Sequence, residues 1–237
     1  MDVNLVDKLV GRNGFLDYDC CILCGIEDTC RPGFCTGCYT DLPLITSYCS
    51  RCARILPDPG ICAECLLDKN GFVFSDCIVA VPYDYPVNKI IHHLKFNGRI
   101  TFARPLGYLL EEKLTENRVT LPECLIPVPL HFTRQLYRGY NQSAEIARIL
   151  SRQLQIPLDQ HICKKTKPTR AQSLLRAEQR KRNIQGSIKV TGKVDYRHIA
   201  IVDDVMTTGN TVNEMARILV RAGVSRVSVW VCARSQK

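Results

Sequence analysis

The 237 residues are long enough for one sizeable α/β domain plus a small appendage. Apolar content of 46% and charged content of 23% are ordinary for a globular protein, and no run approaches the ~20 apolar residues of a membrane span, which excludes membrane insertion by a helix. The formal charge of +9 is unevenly placed: between His131 and Lys189 thirteen Lys or Arg face three acids, a basic segment suited to a polyanionic partner.

The chain opens on Met1-Asp2-Val3-Asn4 without the basic and apolar regions of a secretory leader, so a cytoplasmic location is expected. Of its fourteen cysteines, ten lie between Cys20 and Cys65. In a reducing compartment such a cluster reads as metal ligation before disulfides. Eight of them form four pairs: Cys21 with Cys24, Cys35 with Cys38, Cys49 with Cys52, and Cys62 with Cys65. Two intervening residues let both thiolates of a tight turn face one ion while nearby amides stabilise the sulfur charge. Zn²⁺ takes four such ligands tetrahedrally, so the pairs must themselves pair.

Ten residues separate Cys24 from Cys35 and nine separate Cys52 from Cys62, the spacing of a duplicated unit. Sequential wiring puts Cys21, Cys24, Cys35 and Cys38 on one ion, and Cys49, Cys52, Cys62 and Cys65 on another. A crossed arrangement of the first with the third pair stays open, as does Cys20 as an alternative ligand; Cys30 is spare. The competing reading is a disulfide or redox module. Residues 1–70 are taken as this double zinc-ribbon domain, with structural zinc. Its few large apolar residues would not fold it alone.

Residues 71–237 alternate strand-like and helix-like segments, the pattern of an α/β fold. Cys77 to Tyr83 reads as a buried strand. Val87, Ile90, Ile91 and Leu94 fall at helical spacing, as do Phe102, Leu106, Leu109, Leu110 and Leu114. Leu125 to Pro129 is a short strand, and Ser143 is a candidate cap for a helix ending before Pro157. Ile199 to Val202 suits a parallel strand covered on both faces. Val212, Met215, Ala216 and Leu219 mark a helix stopped by Gly223, and Val227, Val229 and Val231 alternate in a last strand. The remaining cysteines, Cys77, Cys124, Cys163 and Cys232, are expected in the core.

The strand ending in Asp203 and Asp204 carries the strongest chemical signal. Paired carboxylates at a strand's carboxyl end accept hydrogen bonds from vicinal diols. The loop beyond, Thr207, Thr208, Gly209, Asn210 and Thr211, offers hydroxyls and closely spaced amides at a helix N-terminus, and Gly209 permits close backbone approach. Diol acceptors beside a phosphate cradle describe a ribose 5-phosphate site. Two acids near a pyrophosphate also imply Mg²⁺ bridging phosphate oxygens.

This stretch resembles the phosphoribosyl-pyrophosphate (PRPP) signature of type I phosphoribosyltransferases. The resemblance implies that Asp203 and Asp204 contact the ribose hydroxyls while Thr207 to Thr211 hold the 5-phosphate. It also implies that fold: a mostly parallel sheet flanked by helices, here preceded by the small four-cysteine zinc-ribbon domain. The cysteine pairs, Lys95-Phe96-Asn97-Gly98-Arg99, Pro127-Val128-Pro129-Leu130, Arg138-Gly139-Tyr140-Asn141-Gln142 and the PRPP loop occur in an order similar to that of ComF-family proteins, including GntX-like members. That resemblance implies a part in natural competence, where imported single-stranded DNA is handled, with other competence proteins as partners.

Lys95, Arg134 and Arg138 sit beside predicted strand ends or loops, as candidates to stabilise departing pyrophosphate; solvated surface charge is the plainer alternative. Lys164, Lys165, Lys167, Arg170, Arg180, Lys181 and Arg182 suit either a hood that excludes water or a cationic strip for nucleic acid. Only Tyr137 and Tyr140 are near for base stacking. His92, His93, His131, His161 and His198 show no metal spacing. No general base or acceptor pocket is legible. Two functions therefore compete: a Mg²⁺-dependent phosphoribosyltransferase, or a non-catalytic PRPP-fold scaffold or sensor that binds single-stranded DNA.

Overall fold

The computed structural model describes residues 20–27, 29–67, 71–167 and 186–235. Four parallel strands form its main sheet: β1 (Asp76–Pro82), β2 (Cys124–Pro127), β5 (His198–Met206) and β6 (Arg226–Arg234), in the order β1-β6-β5-β2. A separate antiparallel pair joins β3 (Cys163–Lys165) to β4 (Ile188–Val190).

Strand alternation makes two cores, because successive side chains leave opposite faces of a strand. Ile78, Ala80, Ala200, Val202, Trp230 and Cys232 belong to one core. It also holds the apolar faces of α3 (Val87–Phe96), α4 (Ala103–Glu116) and α6 (Gln142–Leu154). Cys77, Val79, Ile199, Ile201, Val229 and Val231 belong to the other, beneath α7 (Asn210–Arg221). The sheet is thus sandwiched between helical layers, the flanked parallel architecture expected from the sequence. Cys77, Cys124, Cys163 and Cys232 are all buried in it.

The cap of α6 differs from expectation. Asn141 is the N-cap and accepts from the Ser143 amide at 3.1 Å, which frees the Ser143 hydroxyl for a bond elsewhere. A short helix, α5 (Phe132–Arg138), was not legible because none of its residues is buried and no apolar stripe marks it.

Helix α4 packs so tightly on α6 that a Cβ on Gly107 would lie 2.8 Å from Ile149 Cγ2 and 3.0 Å from Ile149 Cβ. The near atoms include the branch point of Ile149, so a backbone shift is required. Gly107→Ala is therefore expected to lower the thermal midpoint, since overpacking of about 1–3 kcal/mol outweighs the ~1 kcal/mol helix-propensity gain. Thermal unfolding of the variant beside wild type checks this; a raised midpoint would show the contact to be soft.

The cysteine region packs on α4. A Cβ on Gly33 would meet Pro105 Cβ at 2.9 Å. Arg31 pairs with Glu112 at 2.6 Å and covers the Tyr39 ring at 3.8 Å, while the Tyr39 hydroxyl donates to Glu112 at 2.9 Å. Ile22, Leu23, Phe34 and Leu42 enter the same core as α3, α4 and α6.

Candidate functional site

Two groups of four sulfurs gather in this region. Cys21, Cys24, Cys35 and Cys38 form one and Cys49, Cys52, Cys62 and Cys65 the other, each with all sulfurs within 4.8 Å of one another. Around a tetrahedral Zn²⁺ with ~2.3 Å bonds, neighbouring sulfurs stand about 3.8 Å apart. Cys24 and Cys35 stand at 3.7 Å and Cys52 and Cys62 at 3.6 Å. Amides of Cys38 and Cys62 point at the sulfurs of Cys35 (3.5 Å) and Cys49 (3.3 Å), supporting thiolate charge. None of the fourteen cysteines is in a disulfide. Each group therefore has the ligands and shape to hold a zinc ion, and the four-thiolate shell leaves no open catalytic position. Cys20 and Cys30 stand outside both groups.

The second site forms where β5 meets α7. β5 lies between β6 and β2; Asp203 and Asp204 stand just past the last pairing with β2 (Pro127 with Val202) while β6 still runs alongside, with Asp203 opposite Val231. Asp203 Oδ1 accepts from the Ser143 hydroxyl at 2.7 Å and from the Asp204 amide at 3.0 Å. Burial, and then the charge of Asp204, push the Asp203 carboxyl up to about 7, against the opposing effects of Ser143 and Lys95. Asp204 is buried and its Oδ2 lies 2.5 Å from Lys95 Nζ, a contact from the last turn of α3 on the same side of the sheet.

Beyond Met206 the loop turns through Gly209, whose φ of +75° lies in the left-handed region and N-caps α7. Any Cβ there would also strike Phe72 at 2.8 Å. Thr208 Oγ1 is buried without a hydrogen-bond partner, an orphaned donor within a turn built from amides. This is the chemistry of an anion cradle.

Cations ring the acids. Arg138 is half-buried, stacks 4.9 Å over the Phe96 ring and donates to Gln142 at 3.1 Å. Burial lowers its pKa, while Asp204 raises it. Lys165 falls to about 8, chiefly through burial, then through repulsion from Arg134, with Asp203 opposing. Lys165 is partly buried on the inner side of β3, whereas its neighbours Lys164 and Lys167 are exposed. Arg170, Arg180, Lys181 and Arg182 lie outside the described residues. Tyr137 is 85% exposed, but the Tyr140 hydroxyl is engaged by the Leu94 carbonyl. Ser143 is the site residue that sequence reasoning missed.

A family model described as Phosphoribosyl transferase domain matches residues 141–237, which include Ser143, the acid pair and the loop. Competence protein F of Haemophilus influenzae is 32% identical over 229 residues, covering 93% of this chain and 99% of that protein. DNA utilization protein YhgH of Escherichia coli O6:H1 is 37% identical over 224 residues, covering 86% and 98%. Competence protein ComFC of Bacillus subtilis is 24% identical over 218 residues, covering 85% and 84%.

Proposed function

The chain belongs to the ComF family of Competence protein F and DNA utilization protein YhgH, and from that premise we propose that it binds PRPP with Mg²⁺ and transfers its phosphoribosyl group to a nitrogenous acceptor, in the handling of imported single-stranded DNA. The observation that carries this reading is the Asp203–Asp204 pair opening directly onto the Gly209 turn with its orphaned Thr208 hydroxyl. The acids accept the ribose 2- and 3-hydroxyls, and the loop amides with Thr207, Thr208 and Thr211 hold the 5-phosphate. Two carboxylates without an all-protein cage suit Mg²⁺, which binds one or two carboxylates plus phosphate oxygens and, when bound, offsets pyrophosphate charge.

Transfer breaks the C1–oxygen bond, whose electron pair leaves with pyrophosphate, and forms a C1–nitrogen bond from the acceptor's lone pair, with the acceptor's N–H proton passing to solvent. In this reading Lys95, Arg134, Arg138 and Lys165 stabilise the charge on pyrophosphate. Ligand entry exchanges the Lys95–Asp204 pair, the acid turning to ribose and the amine to phosphate. The cysteine groups hold structural zinc in a domain spanning residues 1–70, and residues 71–237 form the PRPP-binding domain.

Calorimetric titration of Mg²⁺ and PRPP into the zinc-replete protein tests the reading. Micromolar binding, on the order of −8 kcal/mol, is expected; absence of binding would overturn it. The titration carries a proton signature. A carboxyl raised to about 7 is largely protonated below that pH in the ligand-free protein, and a bound diol and Mg²⁺ require it ionised. Binding near pH 6 is therefore expected to release a proton into the buffer and to weaken relative to about pH 8, where release fades. Titrations in buffers of different ionisation enthalpy read this directly.

A second reading, a non-catalytic scaffold or sensor for single-stranded DNA, is favoured by α5, where Phe132 (67%) and Tyr137 (85%) stand exposed beside Arg134. Salt-dependent strand binding without pyrophosphate release on any nucleobase would support it.

A further inference from the structure

Arg234 ends β6 nearly buried, with 8% exposure, and its fork spans two structures that the sequence holds far apart. Nε donates to the carbonyl of Cys52 at 3.0 Å. Nη1 donates to the carbonyl of Met206 at 3.0 Å, to that of Ser235 at 2.7 Å and to that of Thr207. Cys52 belongs to the second cysteine group; Met206 and Thr207 open the phosphate loop.

A trans peptide points its N–H away from its C=O. Two carbonyls drawn to Arg234 therefore turn the Thr207 and Thr208 amides to the opposite side, where the 5-phosphate would sit. A second strut runs parallel to the first. Phe72 packs against the second cysteine group and against Gly209, and its carbonyl accepts from Arg51, which also donates to the Cys65 carbonyl. The next residue, Val73, donates its amide to Asn213 of α7 at 2.7 Å. The first cysteine group packs instead on α4, through Gly33 and Pro105.

We propose that Arg234, with Phe72, is a positioning residue of the phosphate loop and couples it to the metal state of the second cysteine group. The affinity part of the proposal rests on the PRPP reading; the loop-order part does not. Binding couplings are reciprocal, so PRPP should in turn hold the second zinc more tightly.

The test uses the full chain with Arg234→Lys, which keeps the charge but loses the fork, and with Phe72→Leu. Both are expected to retain two zinc ions by elemental analysis. In each, amide exchange at residues 206–211 of the ligand-free protein should accelerate about tenfold, and affinity for Mg²⁺ and PRPP should fall about tenfold. In wild type PRPP should slow one phase of zinc transfer to a chromogenic chelator, and Arg234→Lys should abolish that protection. Loop exchange unchanged in both zinc-replete variants would overturn the proposal, as would zinc release indifferent to saturating PRPP in a wild type that binds it. A wild type that does not bind PRPP, with variant loops still loosened, would defeat the PRPP reading and the affinity arm while leaving the positioning role standing.

Discussion

Replacing Asp203 and Asp204 together by Asn is expected to remove measurable PRPP binding while leaving the chain folded. Each hydrogen bond from a ribose hydroxyl to an ionised acceptor contributes about 1.5–3 kcal/mol. Losing two such bonds weakens affinity by about two to four powers of ten. The fold should tolerate the change because two effects oppose. The exchange leaves Lys95, 21% exposed, without its partner, yet it also removes the burial cost of the carboxylate and, after it, the repulsion from Asp204 that together lift Asp203 to about 7. The amide oxygen introduced by Asp203→Asn can still accept from Ser143. Calorimetry with Mg²⁺ and PRPP, with zinc content and thermal midpoint as controls, checks the result. Wild-type affinity in a folded double variant would show that the ligand is held elsewhere.

Zinc removal is expected to have the largest effect on stability. A structural zinc contributes an apparent binding free energy of about 10–16 kcal/mol in small zinc-dependent folds, against a net stability of about 5–15 kcal/mol for a whole domain. Among the described residues the cysteine region has only short helices, α1 (Thr36–Thr40) and α2 (Ala63–Leu67), and the four cysteines of the second group are themselves its core. Chelation should therefore unfold residues 20–67, seen as complete loss of amide protection there. Because Ile22, Leu23, Phe34 and Leu42 share a core with α4, the α/β half should lose stability too. Native protein should carry two zinc ions, one for each group. Zinc-free protein with undiminished protection over those residues would contradict the assignment.

Much of this was readable because its physics is local. Strand alternation, helical spacing and the four cysteine pairs are repeated patterns, and the acid pair with its loop is contiguous. What escaped depends on partners distant in sequence. Ser143 read as a cap because serine before a helix usually caps; Asn141, two residues earlier, took that role, and the serine reached Asp203 instead. Lys164, Lys165 and Lys167 read as one strip. On β3 successive side chains leave opposite faces, so Lys165 turned inward while Lys164 stayed out. Arg234 gave no signal at all: its acceptors are main-chain carbonyls, which have no side-chain identity to read.

The seat of the cysteine region on α4 has an evolutionary consequence. Gly33 fits because it has no Cβ to strike Pro105, and Glu112 is useful there only while Arg31 and Tyr39 meet it. Descendants of this chain are therefore not free to vary the two halves separately. A lineage that shed its cysteines would have to repolarise the outer face of α4 in the same interval, and changes at 33 and 105, or at 31, 39 and 112, should be inherited together.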